Sequence, residues 1–269
     1  MPRHSEASHV AKALEHAGSP PVHLYLCGGL AVRVGDRVIG PSEFPGPQAE
    51  LVLAILALNH LRPVASAELA YAVWWERASP AWRGSLRALV SRVRAALAPL
   101  GGIEIRGGDS WYQLVLPTNS QVDCLRAIRE THDAEALLAA GAEDEALPHA
   151  VVASMIAARP VLPEVTHPWV DSLAARMQDV HLRALDALVH LWTLRGQYAE
   201  AILDAETLLR LDPLHESGYA GLMQAHLRSG NPTMGLRVYE RCRQTLRQEL
   251  GSSPGPKVEG VYRELLGVT

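Results

Sequence analysis

The apolar positions change period several times along the chain, and each change marks an expected element. Residues 22–34 (VHLYLCGGLAVRV) alternate or are β-branched, with Gly28 and Gly29 interrupting them, and Gly35-Asp36 is a turn signal before 37–39. This predicts a small antiparallel sheet. After a loop at 41–47, residues 48–61 carry Leu51, Val52, Ile55, Leu56 and Leu58, a buried helix. Pro63 and Ala65-Ser66 restart the chain; Ser66 is the expected N-cap, with Glu68 in the first turn, of a helix over 67–75. A loop is expected over 74–80. Residues 81–100 then place Leu86, Val90, Val93 and Leu97 on one narrow helical stripe. Gly101-Gly102 ends that helix, and 103–106, the turn 107–110 and 111–116 predict a β-hairpin directly behind it.

The second half reads as helices throughout. Helices are expected over 123–140 and 144–158, separated by Gly141, and then a Pro-rich connector over 159–168. Residues 169–194 form one long amphipathic helix, with Trp169, Leu173, Met177 and Val180 on its core stripe. Arg176, Arg183 and Asp186 lie off that stripe and are the expected partner-facing residues. The stretch 196–213 resembles a tetratricopeptide repeat, and a further helix pair follows over 216–228 and 234–250. Gly196 and Gly230 each close a helix and are 34 residues apart, as are the small Ala201 and Gly235. That is the repeat period, and stacked pairs of this kind leave a concave groove.

Charge divides the chain the same way. Residues 22–117 hold nine arginines against seven acids, whereas 118–269 hold fourteen basic residues against twenty acids. A mildly basic N-terminal half joined to an acidic C-terminal half fits a DNA-contacting module carrying a protein-contacting one. Residues 1–21 read as a loose tail, with a helical turn or two around 10–16 and no secretion signal. No run approaches 18 apolar residues, so no membrane span is expected. Cys27, Cys124 and Cys242 are far apart in sequence and in no metal spacing, which predicts reduced, half-buried thiols in a cytoplasmic protein. No catalytic constellation occurs: His132-Asp133 and His215-Glu216 lack nucleophile or metal spacing, and no glycine pair opens a phosphate cradle. No enzyme activity, cofactor or metal is expected. Trp74, Trp75, Trp82 and Trp111 are expected in core or hairpin packing. Arg237, Arg241, Arg243 and Arg247 lie near Glu240 and Glu249 and predict a solvated, salt-bridged face.

The helix over 81–100 carries the chemistry. Arg83, Arg87 and Arg94 gather beside its apolar stripe, Arg92 lies further round, and no acid occurs between Trp82 and Leu100. A surface helix ordinarily mixes both signs for i,i+4 pairing. One lined with arginine alone suits a polyanion, because guanidinium groups bond phosphate oxygens and guanine edges. Sheet, three helices and hairpin, in that order, is the plan of a winged helix-turn-helix. The third helix would enter the major groove and the hairpin would lie over the neighbouring minor groove.

Residues 22–117 resemble the DNA-binding domain of the SARP regulators, the antibiotic-pathway activators of actinomycetes. The resemblance rests on the pattern LxGxLxVxxGDRxI, the helix after Pro47, the Ala-x-x-Trp ending at Trp75, and SLRALVSRVRAAL over 85–97. The segment 249–266 (ELGSSPGPKVEGVYRELL) closely resembles the end of the bacterial transcriptional activation domain. The implied fold is mainly α: a winged helix-turn-helix of small sheets plus three helices over 22–117, then an all-α tetratricopeptide-like repeat domain over 118–269. In related regulators the Val-Ser-Arg-x-Arg segment, here 90–94, carries the main DNA contacts. The implied DNA-binding set is Arg83, Arg87, Ser91, Arg92 and Arg94, with Arg106 on the hairpin. The loop between the second and third helices touches RNA polymerase in relatives, which implies that role for Trp75, Glu76 and Arg77. The expected partners are double-stranded promoter DNA and RNA polymerase, with a homodimer on DNA. The chain departs from the family pattern at Leu89 (usually His), at Gln48-Ala49-Glu50 (usually with an Arg) and at Gln113 (usually Arg), which removes phosphate contacts. Those departures motivate an alternative, an interaction adaptor whose winged domain has lost DNA binding.

Overall fold

The computed structural model describes residues 20–75 and 81–267. The expected turn at 10–16, together with Glu76 and Arg77, lies outside the described residues. The chain is mainly helical, with small N-terminal sheets, as the sequence predicts. Its contacts divide it into two compact units. One holds the described residues up to Arg126 together with Arg159–Met177, and the other holds Ala127–Ala158 and the residues from Gln178 onward.

In the first unit, β1 (Val22–Tyr25), β2 (Ala31–Val34) and β3 (Arg37–Ile39) form an antiparallel meander with Val22 opposite Val34 and Val32 opposite Ile39. The alternation of the sequence survives as alternating burial: Val22, Leu24, Val32 and Val34 point inward. Three helices follow, α1 (Pro47–Leu58), α2 (Ser66–Trp74) and α3 (Trp82–Leu97). Helix α1 is apolar on every side and buried from Ala49 to Ala57, so α2 and α3 both pack against it. The hairpin β5 (Glu104–Gly107) and β6 (Trp111–Val115) gains a third strand, β4 (Val64–Ala65), which pairs with β6. A two-residue strand is too short for its periodicity to stand out in the sequence. Ser66 is not the N-cap of α2. It is the first helical residue, its N–H donates to Ser110 O at 2.9 Å and its hydroxyl to Gly108 O at 3.2 Å, so it ties α2 to the hairpin turn.

The expected boundary at 117/118 does not coincide with the division of contacts. Strand β7 (Gln121–Val122) pairs parallel to β1. Asp123 then accepts the N–H groups of Leu26 (2.9 Å), Cys27 (3.0 Å) and Cys124 (2.8 Å) on its buried carboxylate. Burial pushes its pKa up, against those three donors and Arg159. The segment 159–168 is not a free connector either. Gly28 N–H donates to Pro160 O and Leu162 N–H to Leu26 O, and Val161, Leu162 and Val165 are buried. Cys27 and Cys124, far apart in sequence, bring their Sγ atoms to 3.5 Å, and all three cysteines are fully buried rather than half-buried. Hydrogen bonding to Cys27, and then burial, push the Cys124 thiol far up, so it stays protonated.

The second unit draws on α4 (Asp123–Ala139), α5 (Glu143–Ala157), α6 (Pro168–Leu194), α7 (Tyr198–Leu211), α8 (Glu216–Arg228), α9 (Pro232–Leu250) and α10 (Pro256–Leu265). Among the described residues, the repeat predicted from Gly196 and Gly230 has a further copy at Gly141. Gly141, Gly196 and Gly230 all have positive φ (73°, 72° and 80°). After each glycine the next N–H reaches back to a helix carbonyl: Ala142 to Leu137, Gln197 to Trp192, Asn231 to His226. Five residues after each glycine stands a small buried residue, Ala146, Ala201 or Gly235. The first copy escapes a 34-residue period because a long helix and the buried segment intervene. Leu185, Val189, Leu208, Leu222, Met223, Val238 and Cys242 form the core of the later pairs.

Candidate nucleic-acid interface

Helix α3 buries Leu86, Leu89, Val90, Val93 and Leu97, a wider stripe than the four-residue one in the sequence. At about 100° per residue the opposite face is centred on Gly84, Ala88, Ser91 and Ala95, all exposed. The outermost line of the helix is therefore small and uncharged, with arginines on its flanks. Arg92 and Ser91 are exposed and make no hydrogen bond or ion pair among the described residues. The Arg83 guanidinium stacks over the Trp82 ring at 4.6 Å and has no acid partner among the described residues.

The remaining arginines hold the hairpin. Arg94 donates from Nε and Nη2 to Ile105 O, at 2.9 and 2.8 Å, and from Nη2 to Gly107 O at 3.1 Å. Its guanidinium lies 5.8 Å from the centroid of buried Tyr112. Arg94 was expected in the DNA-contact set, and the structure instead bonds it to the backbone of β5. Arg87 pairs with Asp109 in the hairpin turn at 2.8 Å, and Arg106 with Glu104 at 2.9 Å. Gly107, at φ 105°, permits the close crossing under Trp111: a Cβ there would lie 2.1 Å from Trp111 O.

In the three departures from the family pattern, Leu89, Glu50 and Gln113 are each taken up within the fold. Leu89 is 1% exposed and packs in the core. Glu50 is 5% exposed, and burial, then the neighbouring Glu164, raise its pKa. Gln113 donates from Nε2 to His60 O at 3.0 Å, which fastens the hairpin to the turn after α1.

The tryptophans correct the sequence expectation. Trp74 and Trp82 are only half-buried and Trp75 is 47% exposed, so the core is aliphatic there. Trp75 ends α2 at φ 49°, a left-handed conformation that costs a non-glycine residue about 1–3 kcal/mol. The turn it makes carries the indole outward, where it pairs with exposed Tyr71 at 5.4 Å. Tyr71, missed in the sequence, stands one helical turn before Trp75. Trp111 does pack on the hairpin, against Gly107. In the second unit Arg243 pairs with Glu240, as expected, while Arg241 pairs with Glu206 from α7.

Two groups of potential metal ligands come together among the described residues, Cys27–Asp123–Cys124 and Glu130–Asp133–His149. In the first, the carboxylate is already bonded to three N–H groups. In the second, His149 Nδ1 is 2.6 Å from Glu130 Oε2, a hydrogen-bonded pair between α4 and α5. No described helix is long and apolar enough to cross a membrane.

The family described as bacterial transcriptional activator domain matches residues 122–266. The chain belongs to this family. The transcriptional regulatory protein EmbR of Mycobacterium tuberculosis is 27% identical over 255 residues, covering 93% of this chain and 66% of EmbR. The regulatory protein AfsR of Streptomyces coelicolor is 28% identical over 220 residues, covering 82% of this chain and 22% of AfsR. The structure of Mycobacterium tuberculosis EmbR in complex with a low-affinity phosphopeptide superposes with a TM-score of 0.79 at 26% identity, covering 92% of this chain and 65% of that one. The chain thus spans just under two thirds of EmbR and about a fifth of AfsR. The relatives that share this activator domain carry the names of regulatory proteins rather than of enzymes.

Proposed function

We propose that this regulator binds double-stranded promoter DNA as a homodimer through α3 and the β5–β6 wing, and activates a biosynthetic gene cluster by contacting RNA polymerase. The observation that supports this reading is the exposed arc of α3. Its small outer residues allow the helix to sit deep in a major groove, and Arg83 and Arg92 flank it with no acid partner among the described residues. Arg92 and Ser91 then reach base edges and Arg83 reaches phosphate. Arg94 keeps the wing in place, and Arg87 exchanges Asp109 for a phosphate on binding. The exposed Trp75–Tyr71 pair, at the start of the loop between α2 and α3, is the proposed polymerase contact.

The test is a footprint of the purified chain on DNA upstream of neighbouring genes, repeated across salt concentrations. The expected result is two protected half-sites about 10–11 base pairs apart, with affinity falling steeply as salt rises. Absence of protection even at low salt would leave the adaptor reading. That reading has its own support, since Arg87, Arg94 and Arg106 are already bonded within the winged domain.

A further inference from the structure

The outermost line of α3 carries almost no hydrogen-bonding capacity. Gly84, Ala88 and Ala95 bring no polar side-chain atom to it, and Ser91 brings one hydroxyl. A Cβ added to Gly84 would meet nothing within 4 Å among the described residues, and the residue is not at positive φ. Neither the backbone nor the packing of the described residues calls for a glycine there. A helix with so thin an outer line can bring its backbone against the base edges in a major groove, where longer side chains would hold it off.

What such a line can recognise follows from the chemistry of the groove. Adenine, guanine and cytosine present donors and acceptors there, whereas thymine also presents its C5 methyl. The side chain of Ala88 has neither donor nor acceptor. Setting it against a polar base edge would strip water from that edge and return no hydrogen bond. The thymine methyl is therefore the one base feature that Ala88 can favour. Ala88 is better placed for this than Ala95. It lies in the N-terminal half of α3, the end that reaches base edges in helix-turn-helix docking. It also stands one helical turn from Gly84 on one side and from exposed Arg92 on the other.

We propose that Ala88 selects thymine in the half-site, by apolar contact between its Cβ and the thymine C5 methyl. The inference rests on the reading of α3 as the DNA-contacting helix and adds what its uncharged centre reads. Gly84 supplies the close approach, and Arg92, one turn further along, reaches a neighbouring base.

The test uses the full chain and the promoter duplex that it protects. Each thymine of one half-site is replaced in turn by deoxyuridine, which removes the methyl and leaves every donor and acceptor in place. One thymine is expected to be sensitive, with affinity falling about fourfold, as for one buried methyl group. Ala88→Gly should bind the thymine duplex about fourfold more weakly and no longer distinguish deoxyuridine at that position, as groups in contact do in a double-mutant cycle. Arg92→Ala should weaken binding to both duplexes alike and keep their ratio. A parent chain indifferent to every deoxyuridine would overturn the proposal and leave the DNA-binding reading standing. A ratio that survives Ala88→Gly would overturn it as well. If the chain binds no duplex even at low salt, the proposal and the DNA-binding reading fall together.

Discussion

Arg94 and Ile105 are joined by two hydrogen bonds from one guanidinium to one carbonyl oxygen, at 2.9 and 2.8 Å. The arginine-rich helix is thereby divided by function: one arginine holds the wing while Arg92, two residues earlier, faces solvent alone. Arg94→Ala loses these two bonds and the one to Gly107 O, and should lower stability by about 1.5–4.5 kcal/mol, at about 0.5–1.5 kcal/mol net per lost bond, and shift the melting temperature by several degrees. Arg92→Ala should leave the melting temperature unchanged and weaken specific DNA binding by about 1–3 kcal/mol if it reads a base. If it contacts phosphate, the salt slope should fall by about one instead. Thermal melts and binding isotherms of both variants check this, and identical behaviour of the two would contradict the division.

Asp109 is the acid that turns Arg87 toward the hairpin, at 2.8 Å, and both side chains are more than half exposed. An exposed pair of this kind contributes little to stability. Asp109→Asn should therefore leave the melting temperature unchanged while releasing Arg87 and removing a negative charge from the proposed interface. The expected outcome is a several-fold gain in DNA affinity at low salt, with a steeper salt dependence. Weaker binding would mean that the Arg87–Asp109 pair itself orients the wing for DNA.

What the sequence revealed follows from how local each signal is. The stripe of α3, the meander and the hairpin were legible because alternation and helical periodicity are local, and the observed helix α8 has the bounds read from its pattern. The pairing of β7 with β1 and two of the three N–H groups on Asp123, those of Leu26 and Cys27, join residues nearly a hundred positions apart, with no local signature. Leu89 read as a missing phosphate ligand until the fold put it in the core. The use of Arg94 was equally hidden, since a guanidinium that bonds backbone carbonyls has no partner residue type to search for. Gly141 belonged to the repeat all along, but its spacing to Gly196 is not 34.

The two small residues of α8 and α9 should differ in their tolerance of an added methyl. At Gly221 the new Cβ would meet Val189 Cγ1 at 2.5 Å, and at Gly235 it would meet Leu265 Cδ2 at 2.7 Å. Valine has a stiff χ1, whereas the end of a leucine can swing. Gly221→Ala should cost about 1–3 kcal/mol, as overpacking does, and Gly235→Ala less. Chemical denaturation of the two variants measures the order, and a larger loss at Gly235 would show that α10 cannot yield.

The pH dependence of stability should have a histidine limb. Burial lowers the pKa of His181 and of His226, below the ordinary 6.5, with Arg241 adding to the effect at His226 and Glu206 opposing it. His226 Nδ1 is also buried with no hydrogen-bond partner. Below pH 6.5 the unfolded chain takes up protons at these rings before the folded chain does, so stability falls with falling pH until the lowered folded values are passed. Glu50, Asp123 and Asp204 act in the opposite sense. Burial raises each, so the folded chain holds protons that the unfolded chain has released. Stability therefore falls as pH rises from the ordinary carboxylate range through those raised values. On acidification from neutrality the histidine contribution begins to decline at 6.5, while the carboxylates add stability as the pH passes down through their raised values, so the melting temperature follows the sum of the two. His181→Gln should flatten part of that decline, because glutamine keeps a polar group at the site but cannot take up a proton. Melting curves at half-unit steps from pH 7.5 to 5 distinguish the cases, and an unchanged slope in the variant would remove His181 as a contributor.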